Sequence, residues 1–255
     1  MTVSLVQMFG TGLTIGVRLT GIMLFAPFFG SAAIPPRVKA VLVLGLTVLL
    51  YPMLSATMPT INVSQWPMIV LSELTIGIVI GIATNIVFDG VQMAGQVLSV
   101  QLGYSLINIL DPQTQVDSTV VAVFHQTIAM LIFLRLDVHF WILQAVARSF
   151  LYLPPQSAHF GPAFTAAVLH AAASVFAIGI QIAAPVLSAT LLADIAFGLM
   201  GKASPQLPLM LLGPAVKSIL GLLILSAALK YWPDLFQRLF LQSLITSDRL
   251  LHLAR

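Results

Sequence analysis

The sequence predicts an all-α, polytopic integral membrane protein, and three observations carry that expectation. Of the 255 residues, 59% are hydrophobic and 7% are charged, with a mean hydropathy of +1.03; an ordinary soluble domain carries about 25% charged residues. Such a chain has too little polar surface to cover itself in water, so lipid or partner subunits must cover the remainder. Apolar segments of spanning length, roughly 20 residues each, recur along the whole sequence. Proline-rich turns separate them.

The first segment, 19–34, extends upstream past Arg18 and stops at Pro35-Pro36. The second, 40–54, holds Pro52 near its end and is followed by Pro59 and Pro67. Segment 68–99 leads to Asp111-Pro112, and 120–146 leads to Pro154-Pro155 and Gly161-Pro162. Segment 164–200 holds Pro185, which is expected to kink it, and ends before Pro205 and Pro208. Segment 207–229 is the last of about six spans. No internal repeat or low-complexity run interrupts the pattern. Residues 1–231 read as one helical membrane domain and 232–255 as an amphipathic tail. The N-terminal stretch has no positive n-region, and Arg18 breaks the apolar run, so it reads as retained rather than as a signal peptide.

The net charge is +3, but the eleven Lys and Arg are spread along the chain, unlike the clustered footprint of a nucleic-acid binder. They read as headgroup anchors and positive-inside signals. Arg37, Lys39 and Lys202 fall on one side of a six-span topology, and Arg148, Lys230, Arg238, Arg249 and Arg255 on the other. That slight bias puts both termini inside. Ionisable residues also sit within the apolar segments: Arg18, Glu73, Asp89, Arg135, Asp137, Arg148, Asp194 and Lys217. Each would cost at least about 2.5–3.5 kcal/mol at a bilayer centre if it faced lipid. So many of them imply helices that face protein or water for much of their length.

Segment 68–103 as one helix would run about 50 Å, beyond the roughly 30 Å of a hydrocarbon core. At 3.6 residues per turn, Gly77, Gly81, Asn85, Asp89, Gln92, Gln96, Ser99 and Gly103 form one stripe. His170, Ser174, Gln181 and Ser188 repeat the theme in 164–200. Small and polar residues let membrane helices approach closely and bond to one another. The stripe is either a packing seam within the chain or a seam towards other subunits or a water-filled conduit.

No catalytic or metal-binding constellation is visible. The chain has no Cys, its five His residues form no H-E-x-x-H or His-x-x-His pair, no carboxylate stands at ligand spacing from His170, and Asp137 and His139, two apart, point to different helix faces, so neither thiolate chemistry nor a metal site is expected. P-loop and G-x-S-x-G motifs are missing too. Neither an enzyme activity nor a cofactor is expected. Between Gly103 and Ser118, Leu106, Ile107, Ile109 and Leu110 precede the Asp111-Pro112 turn. This stretch is either an ordinary connector or an apolar constriction, and such constrictions gate pores by dewetting.

The run RLTGIMLFAPFFGSAAIPPRVKAVLVL, from Arg18 to Leu44, resembles the opening of the FliR family of flagellar type III export-gate subunits. The resemblance continues in order through Ala94-Gly95, Gln101-Leu102-Gly103, Asp111-Pro112, His139, Ser149, Leu153-Pro154 and Ala184-Pro185. It closes on DIAFGLMGKASPQLPLMLLGPAVKSILGLLIL, from Asp194 to Leu225. Order and spacing carry it rather than any one motif. The chain departs from the family pattern at Gln96, where a Glu is usual, and at Gly201-Lys202, where Asn-Arg is usual. It also departs at Asp137-Val138, in place of Asn-Gly, and at Gly213-Pro214, in place of Gly-Phe-Pro.

The resemblance implies long, kinked helical hairpins that assemble with P- and Q-type membrane subunits into a multi-subunit export pore in the bacterial inner membrane, at the flagellar basal body. One copy of the chain would join each assembly, with membrane lipid around it and unfolded export substrates passing through. The segment after Lys230 would face a substrate-switching export subunit, and its Leu235, Phe236, Leu239, Phe240, Ile245 and Leu250 suit a docking or interfacial helix. Leu106, Ile107, Ile109, Leu110, Asp111 and Pro112 would plug the closed channel. Gly77, Gly81, Asn85, Asp89, Gln92, Gln96, Gln181, Asp194, Lys202, Pro205, Gln206 and Lys217 would line subunit seams. Alternatives are the homologous injectisome subunit of virulence secretion and, outside the family, a small-solute transporter or channel; an integral membrane enzyme ranks behind both. The run from Phe25 to Gly30 and the Pro35-Pro36-Arg37 turn favour the flagellar branch.

Overall fold

A computed structural model of the chain describes residues 5–31, 34–55, 65–104, 119–204 and 209–255. Among these residues every regular element is helical. The elements are α1 (Leu5–Phe25), α2 (Pro36–Leu54), α3 (Trp66–Gln101), α4 (Val120–Arg135), α5 (Val138–Tyr152), α6 (Pro162–Ala203), α7 (Leu209–Ala228), a 3-10 turn (Leu229–Tyr231) and α8 (Trp232–Leu253). Among the described residues, five helical stretches are long and apolar enough to cross a membrane, or six spans if α4 and α5 count as one broken span.

Local chemistry sets the boundaries. Pro36 opens α2, where its missing N–H would have no helical partner anyway. The hydroxyl of Thr119 caps α4 by accepting the N–H of Ala122 at 3.3 Å. Gly103 (φ +85°) closes α3 in a Schellman motif: Tyr104 N–H donates to the Ser99 carbonyl at 2.9 Å, and Gly103 N–H to that of Val100 at 3.1 Å.

Three sequence expectations change. The first span begins upstream at Leu5 and ends at Phe25, because the chain turns through Phe28 at φ 68° well before Ile34. The run 120–146 is not one helix. It breaks at Asp137, which adopts the left-handed region at φ 55°, a conformation that Asp tolerates better than most residues. The second helix starts earlier than expected, at Pro36, and ends at Leu54 as the sequence predicts, with Pro52 inside it. Pro185 lies inside α6, as the sequence places it.

The chain divides into two compact units, with residues of α3, α6 and α8 shared between them. The first comprises Met1–Ile86, Asp137–Ala172 and Phe240–Arg255. Its core takes one face from each helix: Ile15, Leu19, Ile22 and Ala26 of α1; Ile69, Ile76, Ile80 and Ala83 of α3; Ile142, Val146 and Phe150 of α5. Steps of three and four residues mark a helical stripe turned inward. From α8 this unit buries Phe240, Leu250 and Leu251. By contrast α2 packs on α1 and leaves most of its surface open, with Val48 73% exposed.

The second unit comprises Val87–Leu136 and Ala173–Leu239. Val87, Val91, Ala94 and Leu98 of α3, with Leu102 just past its end, supply its buried stripe. Phe88 meets Phe133 edge-on at 5.5 Å between ring centroids. The buried His125 lies 5.1 Å from the Trp232 ring and bonds through Nδ1 to the Val121 carbonyl at 2.7 Å.

Candidate functional site

In the first unit, the candidate site begins at a close crossing of α1 and α3. A Cβ added to Gly77 would strike the Arg18 carbonyl oxygen, and one on Gly21 would stand 2.7 Å from the Leu74 carbonyl oxygen. Gly81 is similarly blocked by Phe25 at 2.9 Å. Gly77 and Gly81 therefore serve a seam within this chain, α3 against α1, rather than one towards another subunit. Their shared spacing of four is what membrane helices need to bring backbones together.

That approach places Arg18 in a fully buried polar node. Its Nε donates to Glu73 Oε2 at 2.6 Å, Nη1 to Ser149 Oγ at 3.0 Å and Nη2 to the Leu153 carbonyl at 2.9 Å. The guanidinium also lies 4.0 Å from the centroid of the Phe150 ring. The node joins α1, α3 and the C-terminal end of α5. A planar fork of donors suits this task, since three acceptors on two other segments are met at once. Burial makes the charges strongly dependent on one another.

In the second unit, Gln126 Nε2 donates to Gln92 Oε1 at 3.2 Å, tying α4 to α3. A Cβ on Gly95 would collide with Ala122 of α4. At the C-terminal end of α3, Gln101 Nε2 donates to Asp194 Oδ2 at 3.0 Å, and Lys217 Nζ pairs with Asp194 Oδ1 at 2.9 Å. Ser218 Oγ donates to the Leu102 carbonyl at 2.9 Å, and Pro214 lies against Gly103. Thus α6 and α7 hold the point at which the chain leaves α3 towards residue 105. The Asp194 side chain is 43% exposed, so solvent screens this pair. Lys217→Met should cost no more than about 1 kcal/mol, read as the shift in the thermal midpoint of the purified chain. A larger loss would mean that the clamp is structural core.

Other expected seam residues have different surroundings. Asn85 and Asp89 are half-buried, while Gln96, Gln181 and Lys202 are exposed on the flanks of apolar helices. Pro205, Gln206 and all six plug residues (Leu106, Ile107, Ile109, Leu110, Asp111 and Pro112) lie outside the described residues. Sequence reasoning marked Arg18, Glu73, Asp194 and Lys217 as costly charges but paired none of them. The pairing of Arg18 with Glu73 spans 55 residues, and no periodicity reports on such a separation. Ser149 and Leu153 were legible only as parts of a resemblance.

Residues 9–243 match the family described as bacterial export proteins, family 1. A flagellar biosynthetic protein FliR from Pectobacterium carotovorum subsp. carotovorum is 28% identical over 226 residues, covering 88% of this chain and 86% of that one. FliR of Bacillus subtilis (strain 168) is 25% identical over 226 residues, with 87% of each chain covered. FliR of Escherichia coli (strain K12) is 25% identical over 226 residues, covering 88% and 86%. The family match takes in α2 to α7 whole, with most of α1 and part of α8. The chain therefore belongs to family 1 of the bacterial export proteins.

Proposed function

We propose that this chain is a structural, non-enzymatic subunit of the flagellar type III protein-export channel, seated in the bacterial inner membrane at the basal body. The observation that carries this reading is the near full-length similarity to flagellar biosynthetic proteins. The same stretch builds helices that are apolar on most faces yet display Gln96, Gln181 and Lys202 outwardly. Exposed polar groups on membrane helices call for protein or water beside them rather than lipid. Asn85, Asp89, Gln96, Gln181 and Lys202, with Pro205 and Gln206, would then face P- and Q-type subunits or the conduit for unfolded substrates, while Gln92 is engaged by Gln126 within the chain. Residues 1–231 form the gate domain. Of the residues expected on a docking face, Phe236, Leu239, Phe240 and Leu250 are buried within the chain; the outer face of 232–255, with Arg238, Leu241, Gln242 and Ile245 exposed, docks the substrate-switching subunit.

Within this reading, Leu106, Ile107, Ile109 and Leu110, with the Asp111-Pro112 turn, plug the closed channel by making its wetted state unfavourable. The experiment is co-expression with P- and Q-type partners. A detergent-stable complex with one copy of this chain is expected in native mass spectrometry, and a homo-oligomer that excludes those partners would overturn the assignment. Removing 107–117 should leave that complex intact and make cells permeable to ions. Unchanged permeability in an assembled mutant would return the stretch to a plain connector, and loss of assembly would make it core.

A further inference from the structure

Within the second unit, the C-terminal end of α3 is held by two kinds of contact that differ in strength. The first is apolar and closed. Leu102 is 1% exposed, and a Cβ added to Gly221 of α7 would strike its side chain. Pro214, earlier on the same face of α7, lies against Gly103. Between them, Ser218 donates its hydroxyl to the Leu102 carbonyl at 2.9 Å. That carbonyl is among the last of its helix, which no intrahelical N–H can reach.

The second contact is polar and open. Asp194 of α6 accepts from Gln101 at Oδ2 (3.0 Å) and pairs with Lys217 of α7 at Oδ1 (2.9 Å), so one carboxylate ties three helices together. Its side chain is 43% exposed and that of Lys217 18%, so water and salt weaken the pair. The Arg18–Glu73 pair of the first unit shares none of that exposure. Gln101 precedes the Leu102-Gly103 exit, and Lys217 adjoins the Ser218 that holds it. The Asp194 carboxylate therefore braces both sides of the exit from a third helix. The apolar seat keeps the last turn of α3 in place, since burial of Leu102 does not depend on the carboxylate.

We infer that Asp194 is a positioning residue for channel closure: its carboxylate braces the exit of α3, and loss of that brace opens the closed channel while the assembly persists. The inference rests on the reading of 106–112 as the plug and adds a latch that lies outside the plug. A tie this exposed biases a position yet is released and remade at thermal energies, as an export step that displaces the plug requires. A fully buried pair would hold too tightly for that use.

The test is made in cells carrying the assembled complex, with the deletion of 107–117 as the unplugged reference. Asp194→Lys and Lys217→Asp each set like charges together. Both should assemble and melt close to the wild type. Passive ion flux should nevertheless rise roughly fivefold, the factor that a pair of this exposure contributes to an equilibrium. Combining the two restores an opposite-charge pair in reversed order, so flux should return towards the wild-type level. A merely structural site would not show that rescue at constant assembly. If both single variants stay tight while the deletion leaks, the brace is refuted and the plug stands. If the deletion itself stays tight in assembled complexes, both fall. A double variant that leaks as much as the singles refutes the pair as the tie. Should the charge reversals fail to assemble, Asp194→Asn and Lys217→Gln, close in shape to the native side chains, decide the matter. Leakage from their assembled complexes supports the brace, whereas tight complexes or loss of assembly overturn it.

Discussion

Gly77→Leu should abolish stable accumulation of the chain, and Gly77→Ala should already weaken it severely. The first added atom meets the carbonyl oxygen of Arg18, which belongs to helical backbone and cannot swing aside as a side chain can. Relief requires α1 and α3 to separate. Overpacking of this kind costs about 1–3 kcal/mol, and more for larger residues; 3 kcal/mol is on the order of a hundredfold in the folded population. The same displacement would pull Arg18 away from Glu73, so the packing and polar losses coincide. The control is Gly45→Ala, where an added Cβ meets nothing within 4 Å and helix propensity favours alanine by roughly 1 kcal/mol. Membrane-fraction yield and thermal midpoint measure both variants. Equal behaviour of Gly77→Ala and Gly45→Ala would refute the close crossing.

Arg18→Met should be nearly as damaging, for an electrostatic reason. It leaves the Glu73 carboxylate, Ser149 and the Leu153 carbonyl buried without their shared donor. Breaking one side of a buried ion pair costs about 3–5 kcal/mol, because the surviving charge keeps its desolvation penalty. The double variant Arg18→Met with Glu73→Leu removes both charges, so it should recover a large part of the loss. Glu73 Oε1 has no hydrogen-bond partner among the described residues, which leaves the carboxylate with little besides Arg18 to hold it. Arg18→Lys should not rescue, since one ammonium cannot reproduce the fork that reaches three acceptors. A double variant less stable than both singles would sink the account, as would a single variant that melts like the wild type.

Much of the architecture was legible because spanning helices must be long and apolar and because proline and glycine mark their ends. Pro36, Pro162 and Gly103 all fall at or beside helix boundaries. The break at Asp137 was not legible, since the apolar run continues across it and only one left-handed residue interrupts the helix. The stripe along α3 was visible as a stripe, but its owner was not. Gly77 and Gly81 face α1 of the same chain and Gln92 bonds to α4, whereas Gln96 is exposed. Periodicity gives the direction of a face and is silent on what meets it. Charge pairing was hidden for a related reason. Asp194 stood nearer in sequence to Lys202, yet its partner is Lys217 on another helix.

The Arg18 node also imposes an order of events during synthesis. Its acceptors lie 55, 131 and 135 residues downstream, at Glu73, Ser149 and Leu153. At about 5–20 residues per second of translation, the carboxylate emerges roughly 3–11 s after the guanidinium and the Ser149 hydroxyl roughly 7–26 s after it. Through that interval the nascent α1 carries a cation that hydrocarbon rejects. The helix must wait at the insertion machinery or in the headgroup layer until the α1–α3 crossing can close. Pairing with Glu73 on the third segment removes most of that cost, so the α1–α3 crossing is expected to close before α1 meets lipid on all sides.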